Sequence, residues 1–122
     1  MKVSIITTTF NSAATVRDTL DAVARQTYRN IEHVIIDGVS TDGTLEIVHQ
    51  YPHIAQVYSG KDNGIYDALN KGIARCTGDV IGILHSDDFY PAADTIEKVV
   101  SLFTASGCEA VYGDLNYIEA GN

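Results

Sequence analysis

The sequence predicts an α/β fold, a Rossmann-related and mainly parallel sheet flanked by helices, and three observations predict it. Apolar, β-branched runs alternate with stretches of helical period four times in succession. The first run, residues 3–7, is short, β-branched and mainly apolar, as strands covered on both faces are. Polar residues gather where the runs stop, at the strand ends beyond which open α/β sheets hold their ligands.

Residues 3–7 read as a buried strand. Asn11-Ser12 then offers an N-cap, and Val16, Leu20, Val23 and Ala24 recur at helical spacing, so an amphipathic helix is expected over 13–26. The second strand, 31–36, ends in Asp37-Gly38. Asp42 is placed to cap a short helix over 44–50, with Leu45 and Val48 inward and Pro52 blocking its continuation. Residues 54–58 form the third strand. Asn63-Gly64 opens a helix whose buried stripe is expected to be Ile65, Leu69, Gly72 and Ile73. The most apolar strand, 80–84, runs into His85-Ser86-Asp87-Asp88. Pro91 stands near the start of a further helix carrying Ile96, Val99, Val100 and Phe103. Late strands are expected at 110–112 and 115–118, joined about Gly113-Asp114. This alternation implies right-handed crossovers between parallel strands.

A chain of 122 residues is long enough for one domain and too short for two. Hydrophobic residues make up 45% and charged residues 20%, which supports a packed core rather than disorder. The net charge of −8 argues against nucleic-acid binding, which needs lysine and arginine to neutralise phosphates. A phosphate-bearing ligand would need a divalent cation to reverse the local field. Cys76 and Cys108 lack the paired spacing of a zinc site, and two cysteines make no disulfide framework. They read as reduced core thiols, which fits a cytoplasmic protein. The apolar run at 3–6 is too short for a signal peptide or a membrane span.

The strand-end loops are polar and three of them contain Asp, but the first has no glycine-rich phosphate fingerprint. Asp87-Asp88 is the sharpest feature. Adjacent carboxylates repel and are costly to hold together without a cation, and hard oxygen ligands suit Mg²⁺ or Mn²⁺ completed by substrate phosphates. Taken alone, the pair reads more simply as a helix cap with a solvated neighbour. Asp42 reads as an N-cap and Ser40 as a turn former. Lys61, Lys71 and Arg75 read as solvated charges, His85 as a packed, hydrogen-bonded histidine, and Tyr58 and Tyr66 as amphipathic packing.

Six segments change the weight of the acidic pair. VSIITTTFN (3–11), QTY (26–28), IIDGVSTDGT (35–44), DNGIYDALNKG (62–72), GD (78–79) and SDD (86–88) together resemble the ordered motifs of family 2 glycosyltransferases. The nearest flavour is the bacterial group that builds cell-surface polysaccharides and exopolysaccharides, and the match spans nearly the whole chain. The resemblance implies a GT-A-like fold, a nucleotide-diphosphate sugar donor with UDP-sugar favoured, a divalent Mn²⁺ or Mg²⁺, and inversion at the anomeric carbon. Thr8 and Phe10, with Asn11 beside them, match positions that line the nucleotide pocket. Asp37 matches an acid that helps bind the nucleoside. Asp87 and Asp88 match the metal and diphosphate motif, with Asp88 the direct ligand. Asp62 can face the base or ribose, or cap the following helix. Gly38 departs from the pattern, since many members carry a second Asp there that contacts the base in some of them. The departure leaves the choice among UDP, GDP and dTDP open.

Inverting transfer also needs a general base for the acceptor hydroxyl. In the resembled family that acid lies well beyond the metal motif, and neither Asp114 nor Glu119 earns the role. The expectation is therefore a single, incomplete domain, 1–122, that holds the donor while base and acceptor half lie outside this chain. Its acceptor would be a saccharide or lipid-linked, its location the cytoplasm or the inner face of the membrane, and an uncovered sheet edge could drive self-association. Two alternatives stand beside it: a non-catalytic nucleotide-sugar-binding module, and a receiver-type phosphoacceptor domain. In a receiver, paired acids would follow the first strand, which here ends in threonines.

Overall fold

The computed structural model describes residues 1–106. The strands expected at 110–112 and 115–118, with Cys108, Asp114 and Glu119, lie outside the described residues. The order of elements is β1 (Val3–Thr9), α1 (Val16–Ala24), β2 (Ile31–Asp37), α2 (Thr44–Val48), β3 (Ile54–Ser59), α3 (Ile65–Arg75), β4 (Val80–Ile83) and α4 (Thr95–Ser106). The four strands form one parallel sheet in the order β3-β2-β1-β4. Each parallel neighbour requires a crossover, and the helices provide them. The chain steps outward from β1 to β2 to β3, then returns so that β4 pairs with the other side of β1. A switch point therefore lies between β1 and β2 on one side and β4 on the other. A receiver-type sheet would set β3 beside β1. Here β3 pairs with β2, which removes that alternative.

β1 is buried along all seven residues because it is covered on both faces. On one face Val3 and Ile5 pack with Ala22 and Val23 of α1 and with Leu84, Tyr90 and Ile96. Ile35 of β2 joins Val16 and Leu20 of α1 and Val48 of α2. On the opposite face Ile6, Val34 and Ile36 pack under Ala68 of α3. The expected stripe of α3 holds for Gly72 and for Leu69, which packs against the Ile6 cluster, and is corrected for Ile65 and Ile73. Ala68 and Gly72 face the sheet, whereas Ile65 and Ile73 are about half exposed. The helix turns its smallest residues inward because it lies very close to β1: a Cβ on Gly72 would sit 2.7 Å from Cγ2 of Ile6.

β4 falls where expected, one residue shorter than 80–84. It is the edge of the described sheet and only four residues long, and Ile81 and Ile83 are 41% and 46% exposed. They share the face of Ile6, but among the described residues α3 packs over β1 and β2 rather than over them. α4 begins at Thr95, four residues past Pro91, because Gln26 decides where it starts. The buried Gln26 side chain donates to the carbonyl of Ala92 and accepts from the N–H of Ile96.

At the N-terminal end of the sheet, Glu32 clasps three segments. Its Oε1 accepts from Ser4 Oγ (2.7 Å) and from the Thr77 N–H (2.8 Å), and Oε2 accepts from Thr77 Oγ1 (3.0 Å), with Lys2 Nζ 3.6 Å away. Gly78 completes the clasp by donating to Ser4 Oγ at 2.9 Å. Burial opposes ionisation of Glu32, but the hydrogen bonds and the Lys2 charge outweigh it and lower its pKa from 4.5 to about 2. A carboxyl with a depressed pKa stabilises the fold fully above its unfolded value and loses that contribution as pH falls through the folded one. Glu32→Ala is expected to cost about 1–3 kcal/mol at neutral pH, because buried donors lose their acceptor. Urea unfolding at pH 7 and pH 3 checks this: the gap between wild type and variant should narrow in acid, and a gap of constant size would refute a charged clasp.

Candidate functional site

A cleft of about 770 Å³ opens where β1 and β4 end, on the face that carries α3. Its walls come from the β1–α1 loop, the N-terminal turn of α3 and the segment after β4. Among the residues expected from the sequence, Thr8, Phe10, Asn11, Asp62 and Asp87 all line it. Asp37 and Asp88 do not.

Asp37 lies beneath the cleft. It is fully buried, and its carboxylate accepts four hydrogen bonds: Thr9 Oγ1 (2.6 Å), Ser59 Oγ (2.9 Å), the Ser40 N–H (2.8 Å) and Ser40 Oγ. Burial pushes this carboxyl toward the neutral form, but the bonds from Ser40, Thr9 and Ser59 prevail and hold its pKa below the ordinary range. The nucleoside contact expected of Asp37 is therefore corrected: no surface of the carboxylate is left for a ligand. What it orders is the β2–α2 loop, including Val39, a β-branched residue at φ +64°. Such a conformation costs on the order of 1–3 kcal/mol and persists only where neighbours over-determine it.

That loop in turn holds the wall of the cleft. Ser40 Oγ accepts the Asn11 N–H (2.9 Å), and Asn11 Oδ1 accepts the Thr41 N–H (2.8 Å). Ser12 N–H donates to Thr44 Oγ1 (2.8 Å), and Asp42 accepts both the Ala13 N–H (3.1 Å) and the Thr44 N–H (3.1 Å). The N-cap of α2 is Gly43 and not Asp42 as expected; Asp42, one residue earlier, accepts the Thr44 N–H across the turn into the helix and ties that turn to the first loop. The STDGT run at 40–44 works as a bracket for residues 11–13.

The acidic pair is fixed through its backbone. Asp88 N–H donates to the His85 carbonyl (3.0 Å), and Thr19 Oγ1 of α1 donates to the carbonyls of His85 (3.3 Å) and Asp88. Neither carboxylate has a protein donor or cation partner among the described residues. Neither caps α4, whose first turn is served by Gln26 and the Ala92–Asp94 segment. The simple alternative of a cap is therefore removed. Asp87 is exposed on the cleft and Asp88 half-buried beside it. Two free carboxylates fit Mg²⁺ or Mn²⁺, which take one or two protein carboxylates with waters and phosphates completing the shell. No cluster of three or more metal-binding side chains occurs among the described residues.

The floor of the cleft is polar. Thr8 Oγ1 lies 3.2 Å from His85 Nδ1, and Ser12 Oγ bonds Ser86 Oγ at 2.8 Å. Ser12 and Ser86 line the cleft too; the SDD segment could have pointed to Ser86, and only the position of Ser12 just beyond the first matched segment could have pointed to it. No lysine or arginine lines it: Lys71 Nζ donates to the Lys61 carbonyl (2.8 Å) and Arg75 stacks on Tyr58 at 3.6 Å. Tyr66 is exposed and stands outside the cleft. A second recess, of about 400 Å³, adjoins it and is lined by Phe10, Gly38, Val39, Lys61 and Asp62. Asp37→Asn should lower stability by about 2 kcal/mol, since an amide cannot accept all four bonds. Denaturant midpoints check this; an unchanged midpoint with lost ligand binding would restore a direct ligand contact.

Comparison with known proteins agrees with this geometry. The family model for glycosyl transferase family 2 matches residues 4–122. A PGL/p-HBAD biosynthesis glycosyltransferase of Mycobacterium bovis is 38% identical over 117 residues, which are 92% of this chain and 46% of that protein. The chain thus spans about half the length of this relative. Among solved structures, TarS 1–349 of S. aureus in complex with UDP-GlcNAc superposes with a TM-score of 0.79 at 26% identity, over 85% of this chain and 31% of that one. The mannosyltransferase PcManGT of Pyrobaculum calidifontis, in complex with GDP-Man and Mn²⁺, gives 0.77 at 30% identity, over 84% and 32%. The parallel sheet with its flanking helices is that of GT-A glycosyltransferases, and the chain belongs to glycosyl transferase family 2.

Proposed function

We propose that residues 1–122 form the nucleotide-sugar-binding portion of an inverting glycosyltransferase, with the catalytic base and acceptor half outside this chain. The observation that carries it is the position of Asp87 and Asp88. Asp87 lines a cleft beyond the strand ends and Asp88 follows it, both held by their backbone, with carboxylates that have no donor or cation partner among the described residues. A bound Mn²⁺ or Mg²⁺ would supply neutralisation of the departing diphosphate. Asp88 would be its direct ligand and Asp87 would face the diphosphate. Thr8, Asn11 and Phe10 would orient the nucleotide along the floor and wall. The cleft has two acids and no lysine or arginine among its lining residues, so a bare diphosphate would be repelled. A cation held at Asp87 and Asp88 would reverse that field and turn it into the reason a diphosphate binds.

The donors bound in the neighbouring structures, UDP-GlcNAc and GDP-Man, support a UDP- or GDP-linked sugar; our reading favours UDP and takes the acceptor to be a saccharide or lipid-linked molecule. No helix among the described residues is long and apolar enough to cross a membrane. We place the domain in the cytoplasm, peripheral to the inner face of the membrane when the acceptor is lipid-linked. Calorimetry with UDP tests the metal role. Mn²⁺ should tighten binding by about tenfold or more, about 1.4 kcal/mol, and Asp88→Ala should erase that increment. If UDP binds equally with and without Mn²⁺, the acidic pair is not a metal site.

A further inference from the structure

β3 lies at the edge of the described sheet, and none of its six residues is fully buried. Its far end is tied by Ser59, which donates to Asp37 at 2.9 Å. Its entry is tied by two histidines. His33 of β2 is fully buried and both its ring nitrogens are engaged. Nε2 lies 2.8 Å from Thr7 Oγ1, and Nδ1 lies 3.0 Å from Nε2 of His53, the residue before β3. The two rings stack with centroids 5.2 Å apart. At this point the strand pairing is irregular. Ile54 pairs with His33 and Gln56 with Val34, so Ala55 bulges without a partner on β2. Segments with few buried contacts are those that open locally, and here a contact between two titratable rings secures the strand where its ladder is interrupted.

We propose that the His33–His53 pair is an acid-operated latch, which holds the entry of β3 on the sheet while neutral and releases it on proton uptake. Two facing imidazole nitrogens form a hydrogen bond only when one carries a proton and the other keeps its lone pair. A fully charged pair would set two N–H groups against each other. Released histidines, by contrast, each take up a proton in acid. Burial pushes His33 from 6.5 down to about 3, with neighbouring His53 adding to the effect. Burial also lowers His53, although Asp21 of α1 pulls it back. Tyr51 meets His53 edge-on at 5.8 Å and donates to Asp21, and the Arg17 charge acts on Tyr51. Glu46 and His49 of α2 are exposed, and Glu32, on the opposite face, is held by Ser4 and Thr77. Both histidines bind protons less readily in place than when released. The latch is therefore fully effective above about 6.5 and weakens as pH falls from there toward about 3. The consequence reaches the cleft, because β3 brings Ser59 to Asp37 and leads into the segment bearing Asp62.

The test is amide hydrogen exchange of the full chain at pH 7 and pH 5.5, with rates corrected for the intrinsic effect of pH. This window lies above the range in which Glu32 and Asp37 titrate. Residues 54–59 should exchange faster than residues 3–9 at both pH values, since β3 opens without the rest of the sheet. Their protection should fall by about tenfold between pH 7 and pH 5.5. In the double variant His33→Gln with His53→Gln, whose amides can bridge without titrating, that fall should vanish. If the double variant does not fold, His53→Gln alone should show a smaller fall than the native protein. Exchange of β3 and β1 at one rate, protection of β3 that does not change with pH, or a fall of native size in either variant overturns the latch.

Discussion

The carboxylate of Asp37 receives hydrogen bonds from Thr9 at the end of β1, from Ser59 at the end of β3, and from the N–H and hydroxyl of Ser40 in the loop that follows β2. Burying a carboxylate costs several kcal/mol. Hydrogen bonds to a charged group return about 1.5–3 kcal/mol each, so four of them can outweigh the burial where two could not. The consequence is geometric. Three strands are tied at their carboxyl ends, and the loop carrying Val39 is held in a conformation it would not adopt alone. Ser40, Thr41, Asp42 and Thr44 then extend the tie to Asn11, Ser12 and Ala13. The wall of the cleft is therefore rigid because of a residue that never reaches it.

A second set of ties does the same for the opposite wall. Thr19 of α1 holds the carbonyls of His85 and Asp88, and Gln26 holds the start of α4. The acidic pair can keep its side chains free because its backbone is fixed. This division is what a cation site needs: ligands that are positioned but not already neutralised. The QTY segment, which carries no ligand chemistry, contributes through Gln26 to where Asp87 and Asp88 stand. Glu32 performs a comparable clasp at the far end of the sheet, where Ser4, Thr77 and Lys2 converge on it. It keeps the start of β4 beside β1.

Much of this was legible in the sequence. The strand–helix alternation is a matter of period, and all eight elements within residues 1–106 occur where period and breakers put them, with ends displaced by a few residues. α1 is shorter than the spacing suggested because residues 13–15 belong to the loop bracketed by Asp42. The readings that needed correction share a cause. Ile65 and Ile73 were expected on the buried stripe of α3, and Ile81 and Ile83 belong to the most apolar run, yet burial depends on which neighbour covers a face. α3 sits over β1 and β2 and not over β4. Asp37 was visible as an acid at a strand end, but a sequence cannot count how many donors converge on it.

By itself the sequence determined the α/β class, the polar strand ends and the family, because these follow from local period, residue chemistry and ordered motifs. Tertiary structure alone decided which acids face outward. Asp37, Asp62, Asp87 and Asp88 are chemically equivalent side chains at the ends of strands or just beyond them. Asp37 is enclosed by donors from three separated segments, Asp62 is turned toward the space left by Gly38, and Asp87 and Asp88 keep free carboxylates on a pinned backbone. Those differences arise from contacts between residues far apart in the chain.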